Sequence, residues 1–570
     1  MDETLRHRIF YALRVRNDRP VLSVAGRLAR KGPSCLTGED LRSSALALAG
    51  QLRLALDEKP QVVVLALPPS IPFVTALFAS LFCGICAVPV ALPRVGGMTD
   101  RFARMVTDCG ASAILCDASD KPQISAALKD IPSSKRPTLW AIEDLPSAPA
   151  MTEPLPLLSG APPITDHDYG QPPSSQYVPP VIIQYTSGSS RFPRGVALPG
   201  HAILANSALV ASHWGLNAKT VAVNWLPYHH DMGLMGGLFY PLLEGGQVVQ
   251  LNPLEVIQRP LRWLQTVSSF GGTLSGGPTF AFARCIDHID DADCNGLDLS
   301  SWAQSYCGAE PVPEIVLQRF REKFAPYGLR SSSVFACYGM AEYTLFSAGK
   351  PGDIKATSRQ KHIGELDIAP CAMGSVLRRS LCIVDPETGR PVDDGQQGEV
   401  WLTGPSKTNG YVNAPQETAA LFDARLSEDD ENRSWLRTGD LATIRNDALY
   451  VAGRIKDTLI AHGQKVAAPE VEWLAAKQHP DLNPAAAAAF MASAIATEQA
   501  ILIIEWRSKK APSVDLHALA QTIRHVVLGE WGLSLGKISF VPRGSLPRTT
   551  SGKIRRSIVA NEHYSRTSHG

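Results

Sequence analysis

The sequence predicts an α/β protein built as one large part and one small part, and three observations carry that expectation. Short β-branched runs alternate with helical patterns, a rhythm that lays parallel strands in layers covered by helices. The 570 residues, 45% of them hydrophobic, exceed what one core can bury and supply apolar material for more than one. Near residues 453–457 the strand-like Ala448-Leu449-Tyr450-Val451-Ala452 ends in glycine and charges before a new α/β pattern begins. The chain therefore divides into residues 1–455 and 456–570, joined by a hinge at Gly453-Arg454-Ile455-Lys456-Asp457.

Taken in order, Thr37 followed by Asp40 precedes the apolar periodicity of Leu41 to Leu54, the signature of a capped helix start. Val62 to Leu67 reads as a strand and Phe73 to Ala79 as the start of a helix. The apolar run from Ile71 to Leu92 is long enough to raise the question of a membrane span. Prolines at 69, 72, 89 and 93 punctuate it, so a buried helix running into a strand is the better reading. The proline-rich stretch from Pro146 to Pro180 reads as surface connection, and Val181-Ile182-Ile183 as the strand after it. Pro484 to Phe490 is alanine-rich and suits either a helix or a strand packed tightly in the small part. There is no internal repeat.

Fifty-five basic against 54 acidic residues give a net charge of +1, so no global field draws the chain to nucleic acid or an anionic membrane. A small ligand is expected. Eleven cysteines scattered in mostly apolar contexts suit reduced thiols in a cytoplasmic protein, and Cys83-Gly84-Ile85-Cys86 reads as core. Met1 to His7 is polar and lacks the apolar stretch of a secretory signal.

The chemistry-bearing segments start at Tyr185-Thr186-Ser187-Gly188-Ser189-Ser190-Arg191-Phe192-Pro193-Arg194-Gly195, a loop leaving the end of a strand. Its backbone N–H groups and hydroxyls can wrap a polyphosphate, though by composition it suits an ordinary turn equally well. It lacks the spacing of a Walker loop. Further along stand Asn224-Trp225-Leu226-Pro227-Tyr228-His229-His230-Asp231-Met232-Gly233, Gly308-Ala309-Glu310-Pro311 and Cys337-Tyr338-Gly339-Met340-Ala341-Glu342. Arg437-Thr438-Gly439-Asp440-Leu441, the hinge segment, and Pro547-Arg548-Thr549-Thr550-Ser551-Gly552-Lys553 complete the series. The histidine pair invites a metal site or an acyl-condensing centre, but it lacks further ligands at suitable spacing, and Asp231 follows His230 directly.

In this order the segments resemble those of the adenylate-forming superfamily, which holds acyl-CoA synthetases, luciferases and nonribosomal peptide adenylation domains. Gln258-Arg259-Pro260-Leu261-Arg262-Trp263-Leu264 and Ser275-Gly276-Gly277-Pro278-Thr279-Phe280-Ala281 are most similar to segments of fatty acyl-AMP ligases. Residues from about Lys350 to Pro370 occupy the place of an insertion those ligases carry.

The resemblance implies the adenylate-forming fold, with a large adenylation domain and a small mobile lid. It implies that a fatty acid and ATP give acyl-AMP and pyrophosphate, and that the acyl group then passes to the phosphopantetheine thiol of an acyl carrier protein. Thr186, Ser187, Gly188, Ser189, Ser190, Arg194 and Gly195 would hold the phosphates, with Arg194 where lysine is usual and Ser190 where threonine is common. Gly308, Ala309, Glu310, Tyr338, Gly339, Met340 and Ala341 would frame adenine, whose ring the Tyr338 face suits.

Glu342 would hold Mg²⁺, a hard cation that favours carboxylate and phosphate oxygens. Asp440 would accept from the ribose hydroxyls, and Arg454 would join the nucleotide site. Lys553 would bridge the substrate carboxylate and the α-phosphate, and Asp457 would be the pivot. His230, Asp231, Met232, Gly233 and Gly277 would border the acyl tunnel, His230 either gating it or serving as a structural histidine. The segment from Ala461 to Pro469 departs from the ligases' pattern, which leaves the guidance of the thiol open. An acyl-CoA synthetase and a non-catalytic adenylate-binding protein are the two rival readings.

Overall fold

The computed structural model describes residues 2–30, 34–56, 61–93, 99–155, 178–186, 193–352, 368–427, 433–461, 464–491, 499–508, 513–548 and 554–567. The proline-rich stretch and the insertion expected at about 350–370 fall mostly outside them.

Two parallel sheets dominate the large part. The first has six strands, in the order Thr138–Ala141, Ala113–Cys116, Val62–Ala66, Cys86–Pro89, Ile182–Thr186 and Arg194–Leu198. All run parallel except the last, which returns antiparallel beside Ile182–Thr186. Val62–Ala66 shows why this layer is central: Val63 and Leu65 enter one core while Val64 and Ala66 enter another on the opposite face. A strand covered on both faces is continuously apolar, as this one is.

The second sheet has seven strands, in the order Val334–Ala336, Gln304–Gly308, Leu274–Pro278, Val221–Asn224, Gln247–Gln250, Pro20–Val24 and Cys35–Thr37. A five-stranded antiparallel sheet follows, from Cys371–Ala372 through Ala448–Arg454, Leu436–Arg445 and Gln397–Leu402 to Leu381–Val384.

The local expectations have physical counterparts. Thr37 Oγ1 accepts from Asp40 N at 3.2 Å and Asp40 Oδ2 accepts from Thr37 N at 2.9 Å, closing a capping box on the helix Gly38–Ala55. The apolar run after Ser70 is the helix Ile71–Phe82 leading into the strand Cys86–Pro89, and among the described residues no helix is long and apolar enough to cross a membrane.

The alanine run resolves as the strand Leu482–Met491. Its Ala487 and Ala489 face one core while Ala488 and Phe490 face another, and the small side chains let both layers close on it. That strand joins Gln499–Trp506 and Ser534–Val541 in a three-stranded sheet. The main core of the large part runs from Leu5 to Leu449 and the core around the three-stranded sheet from Leu459 to Leu535, with Trp473 of the small part packing across against the larger core.

Candidate active site

The register of the antiparallel pair Leu436–Arg445 and Ala448–Arg454 sets Asp440 opposite Arg454. Arg454 Nε lies 3.0 Å from Asp440 Oδ1, and the Tyr338 hydroxyl donates to Oδ2 at 2.8 Å. The Asp440 carboxylate is buried, and such charge-assisted bonds hold it oriented. Asp440 raises the Arg454 pKa, while burial and then the Asp440 charge push the Tyr338 hydroxyl up, so both stay donors.

Beneath this pair lies Glu399, only 2% exposed. Its Oε2 accepts from Arg437 Nε at 3.0 Å, Arg437 Nη2 at 2.8 Å and Trp401 Nε1 at 3.0 Å. Its Oε1 accepts from Gly439 N at 3.0 Å. Gly439 has φ +70°, a left-handed turn that a Cβ would strain, and this turn delivers Asp440 to the cleft.

Glu342 sits on the short turn Ala341–Tyr343, whose position is fixed through its backbone. The Glu342 carbonyl accepts from Thr408 N at 3.1 Å and Thr408 Oγ1 at 3.0 Å, and its carboxylate Oε1 from the Tyr411 hydroxyl at 2.8 Å. Burial and the neighbouring Glu342 charge push the Tyr411 pKa up, so that hydroxyl also stays a donor. The Arg194 guanidinium stands 5.2 Å over the Tyr411 ring and pairs with Glu417.

His230 and Asp231 form a local pair, with Nδ1 2.6 Å from Oδ1, and Asp231 also accepts from Met232 N at 2.8 Å to start the π-helical segment Met232–Phe239. Deeper in, the surface turns apolar: Trp214 stacks on Tyr306 with ring centroids 5.2 Å apart, and Leu345 and Phe346 lie on the same cavity. On the opposite side, Arg556 holds Glu472 in a two-pronged contact of 2.7 and 2.6 Å and reaches Asp457 at 3.6 Å. Burial, and then the Arg454 charge, lower the pKa of the adjoining Lys456.

These surfaces enclose one cleft of about 2200 Å³. Thr186, Arg194, Glu342, Asp440, Arg454 and Asp457 line it, as do His230, Asp231 and Met232. So do Ala309, Glu310, Tyr338, Gly339, Met340 and Ala341.

Four glycines of the candidate set stand behind the wall instead. A Cβ on Gly233 would lie 2.3 Å from the Pro227 carbonyl oxygen, on Gly277 2.6 Å from the Trp225 ring, and on Gly308 2.6 Å from the Cys337 carbonyl oxygen. One on Gly195 would crowd Ile183 and Tyr185 at 3.0–3.2 Å. They allow the layers behind the cleft to close rather than touching its contents. Ser187, Gly188, Ser189, Ser190 and Lys553 lie outside the described residues. Motif reading missed Glu399 and Tyr411. A carboxylate beside the strand run Val400-Trp401-Leu402 was the signal for the first, because buried charge is rare without a partner.

The model of the family described as "AMP-binding enzyme" matches residues 11–412. The chain belongs to the AMP-binding enzyme family. Within that family it is 30% identical to the medium-chain-fatty-acid–[acyl-carrier-protein] ligase JamA of Moorena producens, over 92% of this chain and 89% of JamA. It is 31% identical to FadD25 of Mycobacterium tuberculosis, named provisionally as a fatty-acid–CoA ligase, over 92% of this chain and 90% of FadD25. A solved structure from a study of fatty acyl-adenylate ligases of E. coli and L. pneumophila matches with a TM-score of 0.79 and 27% identity, covering 99% of this chain and 98% of that one. The AMP-binding chain thus has the adenylate-forming fold along its whole length.

Proposed function

We propose that this AMP-binding enzyme activates a fatty acid with ATP, forming acyl-adenylate and pyrophosphate, and then passes the acyl group to the phosphopantetheine thiol of an acyl carrier protein. The observation that carries the reading is the shared cleft. A fixed carboxylate and aromatic suited to a nucleoside, a second carboxylate suited to a cation, and an apolar recess adjoin one another in it. The relatives named as fatty-acid ligases, matched over nine-tenths of the chain, supply the substrate class.

In the first half-reaction a carboxylate oxygen attacks the α-phosphorus and pyrophosphate leaves. In the second the thiol sulfur attacks the acyl carbon and AMP leaves. Asp440 would receive the ribose hydroxyls, with Arg454 holding its orientation, and Tyr338 would lie against adenine. The donor chemistry suits Mg²⁺: Glu342 offers a carboxylate to the cleft, with the Tyr411 hydroxyl on its Oε1, and Mg²⁺ takes few protein ligands when it rides on phosphates. The ion would neutralise phosphate charge. Lys553 would act where charge develops between carboxylate and α-phosphate.

Residues 1–455 would form the binding body and 456–570 a lid turning about Asp457, a reading supported by the two separate cores. All eleven cysteines are thiols rather than halves of disulfides, which supports a cytoplasmic setting. The test is ATP–pyrophosphate exchange across fatty acids of increasing length. Exchange that depends on a fatty acid supports the reading, and exchange with none of them removes it.

A further inference from the structure

The strand Ile182–Thr186 carries one side chain that the nucleotide and lid contacts leave unexplained. Gln184 is 1% exposed, yet neither its Oε1 nor its Nε2 has a hydrogen-bond partner among the described residues. A buried polar group without a partner is destabilising, so a carboxamide with both ends unmet is an unfavourable feature to keep in a core. Gln184 also lines the cleft.

Its position says what it faces. Alternation along the strand puts Ile183 and Tyr185 into the core around Phe102 and Ile114, and Gln184 on the other face with Thr186, the residue that leads into the phosphate loop. Gln184 pairs across the strands with Val196, and Val196 bridges to Tyr411. Directly paired residues share a face of a sheet, so Gln184, Val196 and Tyr411 form one row on the cleft side. At the far end of that row the Tyr411 hydroxyl holds Glu342. Thr186 and Glu342 line the same cleft as Gln184, and so do Trp214, Tyr306 and Leu345 of the apolar recess.

We propose that Gln184 is a substrate-binding residue whose carboxamide N–H donates to an oxygen of the fatty-acid carboxylate and, after adenylation, to the acyl carbonyl oxygen. The inference rests on the acyl-adenylate reading above and deepens it. Bound substrate would supply a partner to one end of the unmet amide. The neutral amide holds the carboxylate on the body side of the cleft and leaves the positive charge there to Lys553, which acts where charge develops.

The test is Gln184→Met, which keeps the length of the side chain and removes both polar ends, assayed in full-length enzyme by pyrophosphate exchange. The expected result is a KM for fatty acid raised roughly tenfold to a hundredfold, as one lost bond to a charged oxygen implies, with KM for ATP near the parent value. The thermal midpoint of the ligand-free protein should stay level or rise, because an unmet amide has been removed. A parent-like KM for fatty acid overturns the proposal, since a merely structural glutamine would leave substrate affinity alone.

Gln184→Glu keeps the shape and replaces the donor with an anion, so it should weaken fatty-acid binding at least as much. It answers the question if the methionine variant does not fold, and parent-like binding in it also overturns the proposal. Parent enzyme that shows no fatty-acid-dependent exchange defeats the acyl-adenylate reading itself, whereas active parent with parent-like variants defeats only the role of Gln184.

Discussion

The two sides of the cleft are built differently. On the body side, Asp440, Arg454, Tyr338, Arg437 and Glu399 form one interlocked set, with both carboxylates buried and each oxygen engaged. Across the seam between the two cores the lid side meets the body through part-exposed charges, as where Arg507 Nη1 lies 2.6 Å from Asp287 Oδ2. Buried, multiply bonded charges are costly to disturb, whereas exposed pairs contribute roughly 0–1 kcal/mol. The contrast supports the proposed reading, in which the carboxylate assigned to the ribose is held by the body's own network while a lid joined to the body by exposed pairs would be the loosely tied element.

The largest effect is expected from that loosely tied element. Lys553→Ala should slow acyl-AMP formation by roughly a hundredfold or more, while ATP affinity and the thermal midpoint stay near parent values. Pyrophosphate exchange beside calorimetric ATP binding reads both, and an unchanged exchange rate would take Lys553 out of the mechanism.

Next, Asp440→Ala should weaken ATP by about 1.5–3 kcal/mol, a loss of bonds to the ribose compounded by leaving Arg454 and Tyr338 without their acceptor. Isothermal titration decides it, and equal affinity would refute the ribose assignment.

The comparison itself is sharpened by a matched pair of variants. Glu399→Gln breaks a buried network and should lower the thermal midpoint and raise KM for ATP together, whereas Arg507→Ala removes only a seam contact and should move the midpoint much less. The reverse order of midpoints would overturn the claim that the body side is the fixed one.

The smallest expected effect is a dependence on pH. Burial pushes the His201 pKa down to about 4, below its ordinary 6.5. Between those values the unfolded chain binds a proton that the folded chain refuses, so stability falls as pH drops from about 6.5 towards 4 and is unaffected above. Across that window, denaturant titrations should show stability falling less steeply with pH in His201→Gln than in the parent, and an equal fall in both would remove His201 from the acid response.

Much of this was legible in the chain, and the gaps have physical causes. Asp440, Tyr338 and Glu342 were readable because each stands in a glycine-containing segment of distinctive order. Glu399 and Tyr411 were not, since each acts on a partner 40 or more residues away and only strand register brings them together. The alanine run was ambiguous because alanine fits a helix and a tightly covered strand alike, and the two flanking cores decide between them. Gly233 and Gly277 show a further limit: sequence marks a glycine as needing closeness without saying whether a ligand or a neighbouring layer comes close.

The central claim is the passage of an acyl-adenylate to a carrier-protein thiol, and a direct competition tests it. Enzyme preloaded with fatty acid and ATP is divided between holo acyl carrier protein and coenzyme A, and the thioester formed in each is followed by mass spectrometry. The account predicts rapid acylation of the carrier protein and little acyl-CoA. Acyl-CoA formed as fast as the carrier protein is loaded would contradict it and make the chain an acyl-CoA synthetase.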